Sequence, residues 1–186
     1  MKKIFIVTII AVASCQTILS QEIFTVFLTN GVTDSVTVYN SETDSIGFIQ
    51  IKEDLQKDNW HDVEILGTSN NRYKVRIIPL NETNATSING WVEKEQCGVW
   101  LRGRYIKSGL WNVYFYKYPG QLHPFLIITS KYPDSFSKYD NDKAIPVLDY
   151  KLYEGKYWIK TVITKDKKRI IGWTKDYCPN IYGACN

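Results

Sequence analysis

Cysteine and histidine are the side chains through which this 186-residue chain could do nucleophilic chemistry. Downstream of its N-terminal segment the chain has Cys97, Cys178 and Cys185, together with His61 and His123. A catalytic cysteine needs a setting that lowers its thiol pKa, such as an exposed turn or a helix start, and a histidine beside it. The three cysteines instead follow strand-like segments or lie in the tail. We therefore expect no catalytic residue and no enzyme.

Metal-binding spacing is also missing from the sequence. A structural zinc site needs closely spaced pairs of cysteines or histidines, which the chain does not have. The acidic run Asp140-Asn141-Asp142 lacks the regular ligand spacing and the later glutamate of a calcium-binding loop. The sequence therefore predicts no metal and no cofactor.

Aromatic residues are the more promising side chains, since the chain has 13 Tyr, 7 Phe and 6 Trp. Tyr114, Tyr116 and Tyr118 occupy alternate positions on either side of Phe115. If Phe115 points into a core, the three tyrosines face outward as a stripe that could bind peptides or sugars by stacking. The alternative is that this face packs on neighbouring structure. Further candidates for lining a ligand groove, or for a place in the core, are Tyr39, Trp60, Trp91 and Trp173.

Strands must hold these side chains, because alternation of apolar and polar residues is the dominant pattern. Tyr73, Val75 and Ile77, for example, are separated by two basic residues. Turn-forming pairs such as Pro119-Gly120 fall between the alternating segments. Only 52–57 indicates a helical turn, and it is too short to stand alone. We predict an all-β fold.

Composition and charge exclude two further classes of protein. The hydrophobic fraction of 44% and the charged fraction of 23% exclude a disordered chain. The formal net charge of +4 falls to +2 once Lys2 and Lys3 are removed with the N-terminal segment. Nucleic-acid binding usually needs clustered basic charge. We therefore expect no nucleic-acid partner.

The N-terminus predicts export. Two lysines precede an apolar run at 4–13, which is too short to span a bilayer and is typical of a signal peptide. Two processing routes compete: Val12-Ala13-Ser14-Cys15 resembles a lipobox in which Cys15 would be lipidated, and cleavage after Ser20 is the other route. A short N-terminal core strand is a third alternative. We predict a signal peptide at 1–20 and a periplasmic or extracellular protein, whose membrane contact is limited to the lipid anchor of the first route.

Export implies an oxidising compartment, in which cysteines tend to pair. Cys178 and Cys185 enclose a proline and a glycine, so the tail can turn back on itself. A bridge between them would contribute about 2–3 kcal/mol in the chain-entropy model. Pairing of Cys97 with either of them is the alternative.

One order of segments occurs twice along the chain. Each copy has a Val/Tyr strand, an aliphatic strand, a strand with a central lysine and a Gly-Trp strand, and each ends at a cysteine shortly after the tryptophan. The first copy contains Val36-Thr37-Val38-Tyr39, Arg72-Tyr73-Lys74-Val75 and Gly90-Trp91-Val92, and the second contains Val113-Tyr114-Phe115-Tyr116, Trp158-Ile159-Lys160-Thr161 and Gly172-Trp173-Thr174.

This order resembles the bacterial SH3 (SH3b) domain, whose signature is a Val-rich opening strand, an aromatic-x-Lys-Val strand and a Gly-Trp-Val strand. The chain departs from it where Arg72 replaces tryptophan and where Thr161 and Thr174 replace valine. The resemblance implies two tandem SH3-like small β-barrels. Their expected bounds are 30–98 and 110–186, with a packed connector at 99–109.

The resemblance also implies a function. SH3b modules are expected to bind cell-wall polymer without catalysis, so the expected partner is a peptidoglycan peptide or glycan in the cell envelope. The cell-wall peptidase domains that often accompany such modules carry their catalytic residues on a separate fold, for which no residues remain here. The alternative is a protein–protein adaptor or envelope scaffold, whose partner is another envelope protein.

Overall fold

The structure, a computed structural model, describes residues 23–28, 35–52, 61–80, 86–131, 144–165 and 167–179. Several predictions concern residues outside these ranges. They are the signal peptide at 1–20, the lipidation of Cys15, the ligand contact of Trp60, the pairing of Cys185 and most of the helical turn at 52–57.

The described chain is almost entirely β-structure, which confirms the all-β prediction. Alternating β-branched and aromatic residues favour strands, because their side chains pack well on a pleated surface. Two single 3₁₀ turns, Lys94–Gln96 and Lys107–Gly109, interrupt the strands. The strands are β1 (Phe24–Leu28), β2 (Val36–Val38), β3 (Ile49–Ile51), β4 (His61–Thr68), β5 (Arg72–Pro79), β6 (Ile88–Glu93), β7 (Cys97–Leu101), β8 (Arg104–Ile106), β9 (Leu110–Phe115), β10 (Leu126–Ser130), β11 (Ile145–Tyr153), β12 (Lys156–Lys165), β13 (Lys168–Thr174) and β14 (Tyr177–Cys178).

The described strands form one large antiparallel sheet and two small ones. The large sheet has the order β13-β12-β11-β7-β1-β4-β5-β6, with β14 paired to β7. Strands β8, β9 and β10 form a three-stranded sheet, and β2 pairs with β3. No closed barrel is seen in the parts of the chain that the structure describes.

Strand β7 takes part in the hydrogen bonding of both halves of the chain. Its Gly98 pairs with Phe27 of β1 and with Pro146 of β11, while Leu101 pairs with Tyr177 of β14. Leu101 is only 1% exposed. The predicted connector therefore begins inside a buried strand, and the two copies share one sheet through it.

The two copies of the repeated segment order have matching strand pairing. We define repeat 1 as β2–β6 and repeat 2 as β9–β13. In repeat 1 the backbone N–H of Phe48 donates to the carbonyl of Val38 at 2.9 Å, and in repeat 2 Phe125 donates to Phe115 at 2.9 Å. The opening hairpins of the two repeats are thus closed by the same contact.

The central hairpins match as well, including an irregularity in their registers. The register shifts between Ile65 and Gly67 in β4, and between Val147 and Asp149 in β11. A bulge of this kind bends a strand and increases its twist. The next strand pairing also matches, because Lys74 of β5 pairs with Trp91 of β6, and Lys160 of β12 pairs with Trp173 of β13.

The larger hydrophobic core contains residues of both repeats. Tyr73 of β5 is fully buried, and its hydroxyl donates to the carbonyl of Val147 in β11 at 3.1 Å. Phe24 of β1 stacks on Tyr150 of β11 with ring centroids 4.8 Å apart. These contacts tie both β1 and repeat 1 to β11, the first strand of the central hairpin of repeat 2.

Candidate functional site

Four of the aromatics predicted to bind a ligand form two equivalent pairs, one in each repeat. Tyr39 and Trp91 exchange two backbone hydrogen bonds of 2.9 Å, and Tyr116 and Trp173 exchange two of 2.8 Å. Each bridge joins the chain just after the opening strand of a repeat to the last strand of that repeat. All four residues are more than half buried, so the bridges are structural and their rings are only partly accessible.

The glycine before each tryptophan is required by the close approach of the opening hairpin. A Cβ atom on Gly90 would lie 2.4 Å from Cγ1 of Val38, and one on Gly172 would lie 3.0 Å from the ring of Phe125. Real Cβ atoms essentially never approach a neighbour to 2.4 Å, and a contact of 3.0 Å is tight enough that the Phe125 ring would have to shift. The Gly-Trp motif therefore reflects packing in both repeats.

The predicted tyrosine stripe around Phe115 is only partly correct. Phe115 is fully buried, as the alternation predicts, but only Tyr118, at 67% exposed, faces solvent. Tyr114 is half-buried. The prediction that Tyr116 faces outward is wrong, because its bridge to Trp173 holds it against the sheet and leaves it 9% exposed.

Repeat 2 contains a cavity of about 320 Å³, which we call the aromatic cleft. It lies between the loop after β9, the turn of the β11–β12 hairpin and the end of β13. Its lining residues are Tyr116, Gly120, Gln121, Leu122, Tyr153, Glu154, Lys156, Trp158 and Lys175.

Two perpendicular aromatic rings form the floor of the aromatic cleft. The rings of Tyr116 and Trp158 meet edge to face, with centroids 5.2 Å apart and an interplanar angle of 78°. The ammonium group of Lys175 lies 5.0 Å from the Trp158 ring centroid. Burial raises the pKa of the Tyr116 hydroxyl, and the nearby Asp176 carboxylate raises it further. The hydroxyl is therefore protonated at neutral pH and can donate a hydrogen bond.

One wall of the cleft is an extension of the β11–β12 hairpin. The hairpin adds three residue pairs beyond the last pair that repeat 1 forms at the corresponding place; these pairs are Lys151–Trp158, Leu152–Tyr157 and Tyr153–Lys156. The opposite wall is the loop at 118–122, where the backbone N–H of Lys117 donates to the side-chain oxygen of Gln121 at 3.1 Å. The two walls touch, because a Cβ atom on Gly120 would lie 2.4 Å from Cζ of Tyr153.

A buried carboxylate anchors the strand that leads into the cleft. Asp176, at 4% exposed, accepts the backbone N–H of Tyr114 at 2.9 Å and also pairs with the guanidinium of Arg104. Burial raises the pKa of Asp176, and this effect outweighs the opposing effects of the Tyr114 N–H and of Arg104. Asp176 thus joins β8 and β9 to the chain between β13 and β14.

At the place where Trp158 packs on Tyr116 in repeat 2, repeat 1 has a charged side chain packed on Tyr39. Arg72, the counterpart of Trp158, lies with its guanidinium carbon 3.6 Å from the ring centroid of Tyr39. Its Nε donates to Glu93 at 2.9 Å, and its Nη1 donates to the carbonyl of Ser41 at 3.1 Å. Arg72 is only 8% exposed. Repeat 1 therefore covers its tyrosine with a paired arginine.

A second cavity, of about 700 Å³, has a different character. It is lined mainly by polar residues of repeat 1 and of the following 3₁₀ turn, and Leu148 is its one aliphatic lining residue; the polar ones are Asn70, Asn71, Glu93, Lys94, Glu95 and Gln96. Because it has no aromatic wall, it is less suited to stacking than the aromatic cleft.

The cysteine and histidine chemistry remains without a geometric basis in the described residues. Cys97 is a free thiol that is 0% exposed, and burial raises its pKa to about 12. Its predicted alternative pairing is therefore not formed here, and the bridge between Cys178 and Cys185 stays a prediction. Among the described residues no group of three or more His, Cys, Asp or Glu is placed to hold a metal ion.

Sequence interpretation missed most of the cleft. The sequence did not single out Tyr153, Leu122 or Lys175, whereas the interpretation of Trp158 as mainly a core residue is confirmed by its 4% exposure. One feature of the sequence could have indicated the cleft. When the two repeats are aligned, the central hairpin of repeat 2 has extra residues around its turn at Glu154 and Gly155.

Comparisons with protein-family models, with curated proteins and with solved structures found no match for this chain. Within the described residues, no helix is both long and apolar enough to cross a membrane.

Proposed function

We propose that this chain is a non-catalytic binding protein of the cell envelope, and that it binds a peptide or glycan of the cell wall in the aromatic cleft of repeat 2. The observation that carries this proposal is the cavity of about 320 Å³ in which Tyr116, Tyr153 and Trp158 meet polar side chains. Ligand cavities range over about 300–1,000 Å³, so this one suits one sugar ring or one or two amino-acid residues.

The chemistry of the lining supports a ligand with both apolar and polar groups. The exposed ring of Tyr153 offers a surface on which a sugar or a peptide side chain can stack. Gln121, Glu154 and Lys175 place an amide, a carboxylate and an ammonium group around the rings. Such a mixture of aromatic surface and a few polar groups is typical of sites that fix the orientation of a small ligand.

We take the cell wall as the source of the ligand because the sequence resembles SH3b domains. The matching hairpins, bulges and Tyr–Trp bridges of the two repeats support this resemblance. We infer that each repeat is an SH3-like unit and that β7 serves both. The same proposal includes export through the segment at 1–20 and a Cys178–Cys185 bridge. It also includes, as the alternative to simple secretion, a lipid anchor on Cys15.

The proposal is tested by pelleting the purified protein with isolated cell-wall sacculi at physiological salt. We expect wild-type protein to pellet and Tyr153→Ala to pellet several-fold less, because Tyr153 is 36% exposed on a wall of the cleft. The matched control is Tyr105→Ala. Tyr105 is an exposed tyrosine of β8 that does not line the cleft, and its replacement should leave pelleting unchanged.

Three outcomes contradict parts of the proposal. Pelleting that both variants reduce equally places the wall contact outside the cleft. Release of soluble wall fragments over time would indicate catalysis. Absence of pelleting, combined with stoichiometric co-purification of one envelope protein, would favour the adaptor function instead.

A further inference from the structure

The two repeats use opposite charges at corresponding positions. Arg72 of repeat 1 pairs in register with Glu93, which lies two residues after Trp91. In repeat 2 the residue two positions after Trp173 is Lys175. The position that supplies a carboxylate to a guanidinium in repeat 1 therefore supplies an ammonium group in repeat 2.

The geometry in repeat 1 shows what this place can hold. The planar guanidinium of Arg72 lies over the ring of Tyr39 at 3.6 Å and reaches Glu93 at 2.9 Å. A planar charged group thus stacks on the bridged tyrosine and pairs with the side chain two residues after the bridged tryptophan. The protein supplies both partners itself.

Repeat 2 has a different pair of side chains at these positions. Trp158 stands where repeat 1 has Arg72, packs edge to face on Tyr116 and is 4% exposed, and the ammonium group of Lys175 lies over its ring, 5.0 Å from the centroid. Among the described lining residues of the cleft, Lys156 and Lys175 carry ammonium groups and Glu154 carries a carboxylate, so this part of the lining has a net positive charge.

Resting on the proposed function, we propose that the ligand of the aromatic cleft carries a carboxylate that pairs with Lys175, next to a ring or apolar group that packs on Tyr153. In this arrangement the ligand supplies to Lys175 the opposite charge that Arg72 supplies to Glu93 inside repeat 1. In the wall polymer this chemistry has two sources, the lactyl carboxylate of an acidic amino sugar and the C-terminal carboxylate of a short peptide.

Matched soluble probes separate the carboxylate from the rest of the ligand. We would titrate the protein with N-acetylmuramic acid and its methyl ester, and with N-acetyl-D-alanyl-D-alanine and its amide, following the indole N–H resonances by NMR. We expect one of the two acids to bind about tenfold more tightly than its neutral form, the difference that one charge-assisted hydrogen bond supplies. Which acid binds identifies the source.

Variants show whether Lys175 recognises the carboxylate. Lys175→Gln should remove the tenfold preference for the acid over its neutral form. The matched control is Lys151→Gln, because Lys151 pairs with Trp158 in the same hairpin, is exposed and does not line the cleft. This control should keep the full preference.

The pelleting and titration experiments together distinguish failure of this inference from failure of the proposed function. If sacculi pellet through Tyr153 but the acids bind no better than their neutral forms, or none of the probes binds, the carboxylate proposal is wrong and wall binding stands. A preference that survives Lys175→Gln also overturns it. If neither sacculi nor any probe binds, both proposals fail together.

Discussion

Replacing Asp176 tests whether the buried carboxylate holds β9 in place beneath the aromatic cleft. Its carboxylate has two partners, the backbone N–H of Tyr114 and the guanidinium of Arg104. Burial raises the pKa of Asp176 despite these partners, so the attraction to Arg104 does not offset the loss of hydration. The ion pair should therefore contribute little, and the free energy of unfolding should depend mainly on the Tyr114 amide.

The expected losses of stability follow from the different contributions of the Tyr114 amide and the Arg104 ion pair. Asp176→Ala leaves the Tyr114 N–H without its acceptor, which costs about 1–3 kcal/mol. Asp176→Asn keeps an acceptor oxygen and removes the charge, so it should cost less than about 1 kcal/mol. Urea unfolding at pH 7, with midpoints and slopes compared between variants, measures both values. Equal losses in the two variants would refute the reasoning, because the charge would then be the main contribution.

The pH dependence of the same pair gives a second measurement. Because the pKa of Asp176 is raised in the folded protein above its ordinary value of 3.8, the folded state takes up this proton at a higher pH than the unfolded state. As the pH falls through the folded pKa towards 3.8, wild-type protein should gain stability relative to Asp176→Asn, and below 3.8 the difference should level off. A relative loss of stability on acidification would show that the ion pair dominates.

Three further predictions concern buried groups. Tyr73→Phe removes the buried hydroxyl that donates to β11, so it should lower the free energy of unfolding, measured in urea, by about 1–2 kcal/mol. No loss would show that this hydrogen bond does not stabilise the fold. Cys97 should resist iodoacetamide at pH 8 in the folded protein and react once the chain is unfolded, because burial keeps the thiol protonated and inaccessible; rapid labelling of the native protein, measured by mass spectrometry, would contradict this. Gly172→Ala should lower the free energy of unfolding by about 1–3 kcal/mol, because its Cβ would press on the Phe125 ring at 3.0 Å. Gly67→Ala, whose nearest contact is an ordinary 3.6 Å, should lower it by less than about 1 kcal/mol. Equal losses in thermal unfolding would contradict the packing explanation of the Gly-Trp motif.

Local pattern was enough to predict the strands and the duplication. Alternation around Phe115 and Val75 reports which side chains face a core, and both residues are fully buried. The recurrence of Gly-Trp reports a close backbone approach, which the contacts of Gly90 and Gly172 explain. These features depend on residues a few positions apart, and a sequence displays such relations directly.

The partners of β7 could not be predicted in the same way. Alternation specifies the face on which a side chain lies but not the strand that pairs beside it. Cys97 pairs with Leu28 from the first strand, and Leu101 pairs with Tyr177 from the last one. Pairings over such separations are decided by the whole sheet, so the sequence predicted two barrels packed through a connector at 99–109 and did not predict that β7 pairs with strands on both sides.

The aromatic cleft was missed because its formation depends on a difference between the repeats. Arg72 and Trp158 occupy corresponding positions, and either could have been assigned to a core on composition alone. The two residues differ in their contacts. Arg72 donates hydrogen bonds to Glu93 and to the Ser41 carbonyl, whereas Trp158 lies in a longer hairpin and has the ammonium group of Lys175 over its ring. In repeat 1 Arg72 forms an ion pair with Glu93, whereas in repeat 2 the ammonium group of Lys175 lies over the buried Trp158 ring and lines the aromatic cleft. The same fold therefore supports stability in repeat 1 and, in our proposal, recognition in repeat 2.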